Sequence, residues 1–215
     1  AAPCGACDAC QRGAGQRCLP TREAIGKGTL IDGTTRISLR GETVYRMTTT
    51  GAFARDVLVD QRSAMRIPAA IPFEQAALLG CAALTGVGAV LNAAAVDASS
   101  TVAVIGAGGV GLFAVQGARV RGARRIIAVD PSPSRRALAM RLGATEAIDP
   151  ADLGDLDGAD VAVDAVGAPA TTAAAVAAIR AGGRAVVVGL APGGARLELD
   201  PLDLVAREKT LTGSI

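Results

Sequence analysis

The sequence predicts an α/β chain: a doubly wound, parallel, six-stranded sheet preceded by a small cysteine-rich lobe. Three observations carry that expectation. From Ser99 onward, short β-branched runs alternate with helical runs of about a dozen residues, the rhythm of βαβ units. A glycine-rich turn stands where the first of these strands gives way to the first helix. Four of the five cysteines crowd into the first 18 residues as C-x2-C-x2-C-x7-C.

Taken in order, residues 1–50 are rich in Gly, Thr and Arg without helical periodicity, and read as loop and short strand around the cysteines. Residues 52–60 alternate Phe53, Arg55, Val57 and Val59 with small or polar neighbours, a pattern compatible with a strand, and Pro68 and Pro72 then mark a boundary. Residues 73–80 and 82–95 are apolar and alanine-rich, predicting two consecutive helices with a bend between them. Strands are expected at 101–105, 125–130, 146–148, 160–164, 184–188 and 209–214. Between the first two, Val110, Phe113, Ala114 and Gly117 recur at helical spacing, which predicts an apolar face turned to the sheet. Thr172, Val176 and Ile179 repeat the pattern later, with Pro169 suited to the helix start and Gly182 to its end. The domain boundaries that follow are a lobe over 1–72, linking helices over 73–98 and a nucleotide-type domain over 99–215.

Composition narrows the function classes. Half of the 215 residues are hydrophobic and a fifth charged, which excludes a disordered tail, and the 27 glycines show no Gly-X-Y period. Twenty-two basic against 20 acidic side chains leave +2, and aromatics make up only 2% with no Trp. Neither nucleic acid nor a membrane surface is therefore an expected partner. There is no histidine, so the chain alone supplies neither an imidazole base nor a histidine zinc ligand. The chain opens on Ala1 and closes on a strand-like run without a turn, so both ends read as cut. No leader and no uncharged stretch long enough to cross a bilayer are read from it, which leaves the cytoplasm as the default location. An odd, tightly clustered set of cysteines makes a poor disulfide framework and, in a reducing compartment, more often holds metal.

The chemistry concentrates in three places. Val102 to Ile105 run directly into Gly106-Ala107-Gly108-Gly109-Val110-Gly111, a G-x-G-x-x-G between predicted strand and predicted helix. Gly106 permits the tight turn, Gly108 leaves room for a pyrophosphate, and Gly111 lets the helix pack closely. Together with Gly109 and Val110 they offer N–H groups and the positive helix end to phosphates, as in a Rossmann domain; the alternative is a glycine-rich turn with no ligand. Asp130 ends the second strand 19 positions after Gly111. A carboxylate there accepts from ribose hydroxyls and repels a 2′-phosphate, favouring NAD over NADP; the alternative role is a helix cap. Arg136 reads as a solvated helix start.

Cys4, Cys7, Cys10 and Cys18 have the residue type and spacing of a closed structural zinc site. Gly5, Gly13 and Gly15 allow the loop to fold tightly, and Arg12 and Arg17 offset negative charge. Free or oxidised thiols and a zinc ribbon contacting nucleic acid are the alternatives. Cys81, set between Leu79-Gly80 and Ala82-Ala83-Leu84, reads by composition as an ordinary buried cysteine.

Taken together, the cysteine lobe, Gly26-Lys27-Gly28 with Asp32-Gly33-Thr34-Thr35-Arg36, Gly80-Cys81 with Thr85-Gly86, the glycine loop and Asp130 resemble the zinc-containing, medium-chain alcohol dehydrogenase family. The branch most resembled is the class I/III-like one, with alcohol, glutathione- or mycothiol-linked formaldehyde and aryl-alcohol enzymes. The resemblance implies NAD as cofactor, a structural zinc on the four clustered cysteines, and a catalytic zinc in the complete enzyme with Cys81 as its third protein ligand. The other two ligands, a cysteine and a histidine earlier in the family's chains, have no counterpart in this sequence. It further implies that residues 1–72 include part of a β-rich catalytic domain and that Thr85 lies beside the nicotinamide. Val166, Val188, Gly189 and Leu190 would wall the ring, and Arg135 would lie near the adenosine. The function implied is hydride transfer between an alcohol or aldehyde and NAD by a homodimer or homotetramer, with the chain as written inactive. A non-catalytic nucleotide-binding zinc module and a related polyol or threonine dehydrogenase remain the alternatives.

Overall fold

The computed structural model describes residues 1–156 and 158–215, and the chain divides into two compact units, Ala1–Ala70 and Ile71–Ile215. In the first, helices α1 (Asp8–Gln11) and α2 (Leu19–Lys27) precede an antiparallel hairpin of β1 (Ser38–Leu39) and β2 (Glu42–Thr43). Helix α2 begins with Pro20 in its first turn and ends at Gly28, whose φ is +66°. The N–H of Gly28 donates to Ile25 O and that of Thr29 to Ala24 O, closing the last turn. Loop and short strand were the expectation here. The helix escapes a periodicity search because only Thr21 and Ala24 on it are buried. The expected strand over 52–60 does not form: every one of those residues is exposed, so the alternation has no buried face to serve.

The second unit opens with α3 (Phe73–Ala93), a single 21-residue helix rather than two with a bend. Two π turns, Leu79–Ala83 and Ala89–Ala93, each take up an extra residue without breaking the helix. Contrary to the sequence expectation, this helix is long and apolar enough to cross a bilayer. One face of it is core: Ala83, Gly86, Ala89 and Val90 are buried. Its end is tied down by the Arg184 guanidinium, which donates to Ala93 O at 2.8 Å.

Then come β3 (Thr101–Ile105), α4 (Gly109–Val120), β4 (Arg125–Val129), α5 (Pro133–Leu142), β5 (Glu146–Ile148), β6 (Ala159–Asp164), α6 (Pro169–Ala178), β7 (Ile179–Val187), α7 (Pro201–Ala206) and β8 (Thr210–Gly213). The six strands are all parallel in the order β5-β4-β3-β6-β7-β8, the doubly wound arrangement expected. Alternate residues of each strand feed opposite faces. Val102, Val104, Ile126, Ala128, Val161 and Val163 pack with α3, α4 and Ala139 of α5, whereas Ala103, Ile105, Ile127, Val129 and Ala162 pack with α6 and Leu204 of α7. Both faces are covered, which is why these strands are near-continuous apolar runs. Helix α6 stops at Ala178, not at Gly182, because Ile179 is buried and extended and pairs with Ala159.

The stripe expected to face the sheet from α4 divides. Gly111, Ala114, Val115, Gly117 and Ala118 are its buried residues, with Gly111 directed at Val104 and Ala114, Val115 and Ala118 in the sheet-side core. Val110, Phe113 and Gly117 instead meet α3: a Cβ at Gly86 would stand 2.2 Å from Val110 O and 2.9 Å from Phe113 Cβ, and one at Gly117 3.2 Å from Val87 Cα. Backbone therefore approaches backbone between α3 and α4. Gly86→Ala is expected to cost about 1–3 kcal/mol in urea unfolding. Gly80→Ala, whose Cβ meets nothing within 4 Å, is expected to be neutral or stabilising by up to about 1 kcal/mol; equal losses at both positions would contradict this packing.

Candidate functional site

The order of strands reverses between β3 and β6, and the chain leaves the carboxyl ends of these neighbours in opposite directions. At the end of β3 the glycine loop makes its turn at Gly106, with φ +91° and its N–H donating to Val129 O at 2.8 Å. A Cβ on Gly111 would lie 1.8 Å from Gly106 O, so the first turn of α4 rests directly on the loop. Gly108 faces open space. The first helical pairing is Leu112 N–H to Gly108 O at 2.8 Å, which leaves the amides of Gly108 to Gly111 pointing out of the helix end. Amides, a positive dipole end and free space above a glycine are what a diphosphate requires.

Asp130 immediately follows β4 and is only 2% exposed. Its Oδ2 accepts the Ala107 N–H and its Oδ1 the Ser132 N–H, both at 2.9 Å. The carboxylate thus pins the glycine loop, and α5 starts after Ser132 with no side-chain cap. Arg135 reaches Asp130 Oδ2 only at 3.7 Å and is mostly exposed. Arg136 is not a solvated helix start: it donates to Asp130 O at 2.5 Å and to Asp149 Oδ2 at 3.0 Å, joining the ends of β4 and β5.

Across the reversal, Val166 lies over the loop, its Cγ2 only 2.6 Å from where a Cβ on Gly106 would stand. The N–H groups of Val188 and Gly189 donate to Asp164 O at 2.9 and 3.1 Å. Leu190 is exposed, with its N 2.6 Å from a Cβ placed on Gly167. Ala82 Cβ approaches the Cβ position of Gly109 to 3.8 Å, which sets Cys81 and Thr85 on the helix beside the loop. Cys81 is exposed, not buried as its composition suggested, and Thr85 is half-buried. The structure therefore gathers Gly106 to Gly111, Asp130, Val166 and Gly189 around one crevice. Sequence reasoning missed Arg136, Gly167 and Asp164; an acidic residue directly after the apolar run Val161-Ala162-Val163 was the available signal for the last.

The other unit brings Cys4, Cys7, Cys10 and Cys18 together, with all four sulfurs within 4.8 Å of one another. Cys7 and Cys10 are 3.5 Å apart and Cys4 and Cys10 3.9 Å, against sulfur–sulfur edges of about 3.8 Å for a tetrahedron with zinc–sulfur bonds near 2.3 Å. The residues present fit a closed four-thiolate centre. The Cys4 N–H, foremost, and the Thr21 hydroxyl donate to Cys18 Sγ at 3.2 Å each and hold that thiol down at about 6. Burial pushes Cys10 up to about 11, reinforced by the neighbouring thiols, while hydrogen bonding from the Cys10 backbone lowers Cys7. Among the described residues no other group of three or more Cys, Asp or Glu side chains is placed to hold a metal, so Cys81 does not form a metal site by itself.

Residues 109–215 match the family described as zinc-binding dehydrogenase. The chain is 38% identical over 215 residues to S-(hydroxymethyl)glutathione dehydrogenase of Escherichia coli O1:K1 / APEC, covering 95% of this chain and 58% of that relative. Among solved structures it resembles an alcohol dehydrogenase zinc-binding domain protein from Burkholderia ambifaria, with TM-score 0.91 and 35% identity, covering 99% of this chain and 60% of the other. It also resembles benzyl alcohol dehydrogenase from Acinetobacter calcoaceticus, with TM-score 0.87 and 31% identity over 99% of this chain and 60% of the other.

At pH 7 the Cys18 thiol is ionised and the Cys10 thiol holds its proton, so zinc binding at the quartet must expel protons. Apparent zinc affinity is expected to rise with pH from 6 upward and to fall below it as Cys18 is protonated. Calorimetry in buffers of different ionisation heat measures the release. Cys10→Ala is expected to abolish stoichiometric zinc and Cys81→Ser to leave it; a pH-independent affinity, or metal loss with Cys81→Ser, contradicts the site.

Proposed function

We propose that this chain, which belongs to the zinc-binding dehydrogenase family, is the NAD-binding portion and structural-zinc lobe of a zinc-dependent alcohol dehydrogenase. The observation that carries the reading is the glycine loop at the sheet's reversal, held to a buried Asp130 through the Ala107 amide. The chain spans about 58% of the length of the curated relatives it matches, so hydride transfer is assigned to the whole protein. The substrate class is an alcohol or aldehyde, in keeping with the hydroxymethyl and benzyl alcohol groups in the relatives' names.

In this reading the amides of Gly108 to Gly111 bind the diphosphate, and Asp130 accepts the hydroxyls of the adenosine ribose with its remaining lone pairs. Arg135 lies beside the adenosine. Val166, Val188, Gly189 and Leu190 exclude water from one side of the nicotinamide and Thr85 positions it from α3. Bound nicotinamide supplies the acceptor or donor of a hydride. The quartet Cys4, Cys7, Cys10 and Cys18 holds a structural zinc that organises its loop. Cys81 is assigned as one ligand of a catalytic zinc, but the described residues do not complete that centre, and no step is derived through it. With no histidine and a single thiol at that place, the 215 residues alone are expected to bind nucleotide without appreciable turnover. A homodimer or homotetramer belongs to the proposal, since β8 ends the sheet as an edge strand.

Calorimetric titration tests the assignment. Asp130→Ala is expected to weaken NAD at least about tenfold through loss of a charged acceptor, and NADP clearly less, because both coenzymes lose the loop held through the Ala107 amide but only NAD also loses its ribose acceptor. Equal losses for both coenzymes would count against Asp130 as the ribose ligand.

A further inference from the structure

The least explained group in the nucleotide unit is Asp164. It ends β6 and is fully buried. Its carboxylate is surrounded by donors: Oδ1 takes the N–H groups of Val166 and Gly167, both at 3.0 Å, and Oδ2 the Thr172 hydroxyl at 2.6 Å, with the Thr171 hydroxyl at 3.3 Å shared with Ala168 O at 2.9 Å. Burying a carboxylate is costly unless hydrogen bonds repay it, so what these bonds hold in place matters.

They hold the turn 165–167. On one side the Val166 side chain lies against Gly106, and the Ala165 N–H donates to Ile105 O at 2.9 Å. On the other, a Cβ on Gly167 would stand 2.2 Å from Gly189 C, so two turns touch through bare backbone. Behind them a cavity of about 270 Å³ is bordered by Gly167, Pro169, Thr172, Gly189 and Gly213. Beside this cavity the carboxylate is the acceptor to which the turn's own amides are bonded. The two halves of a doubly wound sheet each serve one nucleoside of a dinucleotide. Asp130, after β4, belongs to the half built on β3, β4 and β5, and the Asp164 turn to the half built on β6, β7 and β8.

We propose that Asp164 is a positioning residue for the nicotinamide nucleoside: by fixing the turn 165–167 between Gly106 and Gly189, it sets the wall against which that half of the coenzyme lies. The inference rests on the dinucleotide reading above, and its test separates the two. NADH and ADP-ribose, which lacks the ring, are titrated against the full 215-residue chain. Asp164→Ala leaves the Val166 amide and the buried Gly167 amide without their acceptor and is expected to weaken NADH about tenfold while changing ADP-ribose less than about twofold. Asp164→Asn retains NADH affinity within about threefold, because its carbonyl still accepts from both amides and the threonine hydroxyls turn to accept from its NH2. If Asp164→Ala does not fold, Gly167→Ala keeps the carboxylate, displaces the turn from Gly189, and is expected to give the same split. Parallel losses of both ligands, or unchanged NADH affinity, overturn the positioning role. A parent chain that binds neither ligand overturns the dinucleotide reading, and this role with it.

Discussion

The nucleotide unit depends on backbone contact at the carboxyl end of β3, where the direction of winding reverses. Three segments must meet there: the glycine loop, the turn after β6 and the turn after β7. Side chains would keep them apart. Added Cβ atoms would stand 1.8 Å from Gly106 O at Gly111, and 2.2 Å from backbone at both Gly167 and Gly189. Close approach suits the proposed role, in which an anion is met by main-chain amides, which reach no further than the backbone carrying them. Two buried carboxylates complete the arrangement from opposite sides. Asp130 holds the loop through Ala107, and Asp164 holds the facing turn through Val166 and Gly167. Each turns the cost of burying an acid into a fixed backbone shape.

The same demand for closeness explains the composition. Helix α4 is pressed between the sheet and α3, with Ala114 and Ala118 fully buried on one side and Gly117 against Val87 on the other. Such spacing favours alanine, glycine and valine. The core is accordingly built of small aliphatic residues, and aromatics amount to 2% of the chain. What the core lacks in large side chains it makes up by covering both faces of the sheet.

The strands were legible because a parallel strand buried on both faces must be continuously apolar, and the observed ends of β3 and β5 coincide with those expected. The glycine loop and Asp130 were legible for a related reason: spacing along the chain is fixed by one strand, one helix and another strand. The failures have physical causes. Helix α2 buries only Thr21 and Ala24 and so leaves no stripe, although Pro20 and Gly28 bracket it. The apolar stripe at Val110, Phe113 and Gly117 was read correctly as a packed face but matched to the wrong neighbour, since periodicity does not say whether sheet or helix covers it. Arg136 looked like a surface residue because its partners, Asp130 O and Asp149, come from a main-chain carbonyl and a distant loop. That the four cysteines come together was legible from their spacing, but their uneven thiol acidity depends on hydrogen bonds from Cys4 N–H and Thr21 that no spacing reveals.

The central claim is that one crevice, at the carboxyl ends of β3, β4, β6 and β7, grips a dinucleotide mainly through backbone amides. Residue-resolved amide hydrogen exchange of the zinc-loaded chain, with and without saturating NADH, tests it most directly. The account predicts slowed exchange confined to Gly106–Gly111, the Asp130–Ser132 turn and the turns at 165–167 and 188–190, with the cysteine lobe unchanged. Protection at the amino ends of the strands, or none at the glycine loop despite saturation, would contradict it.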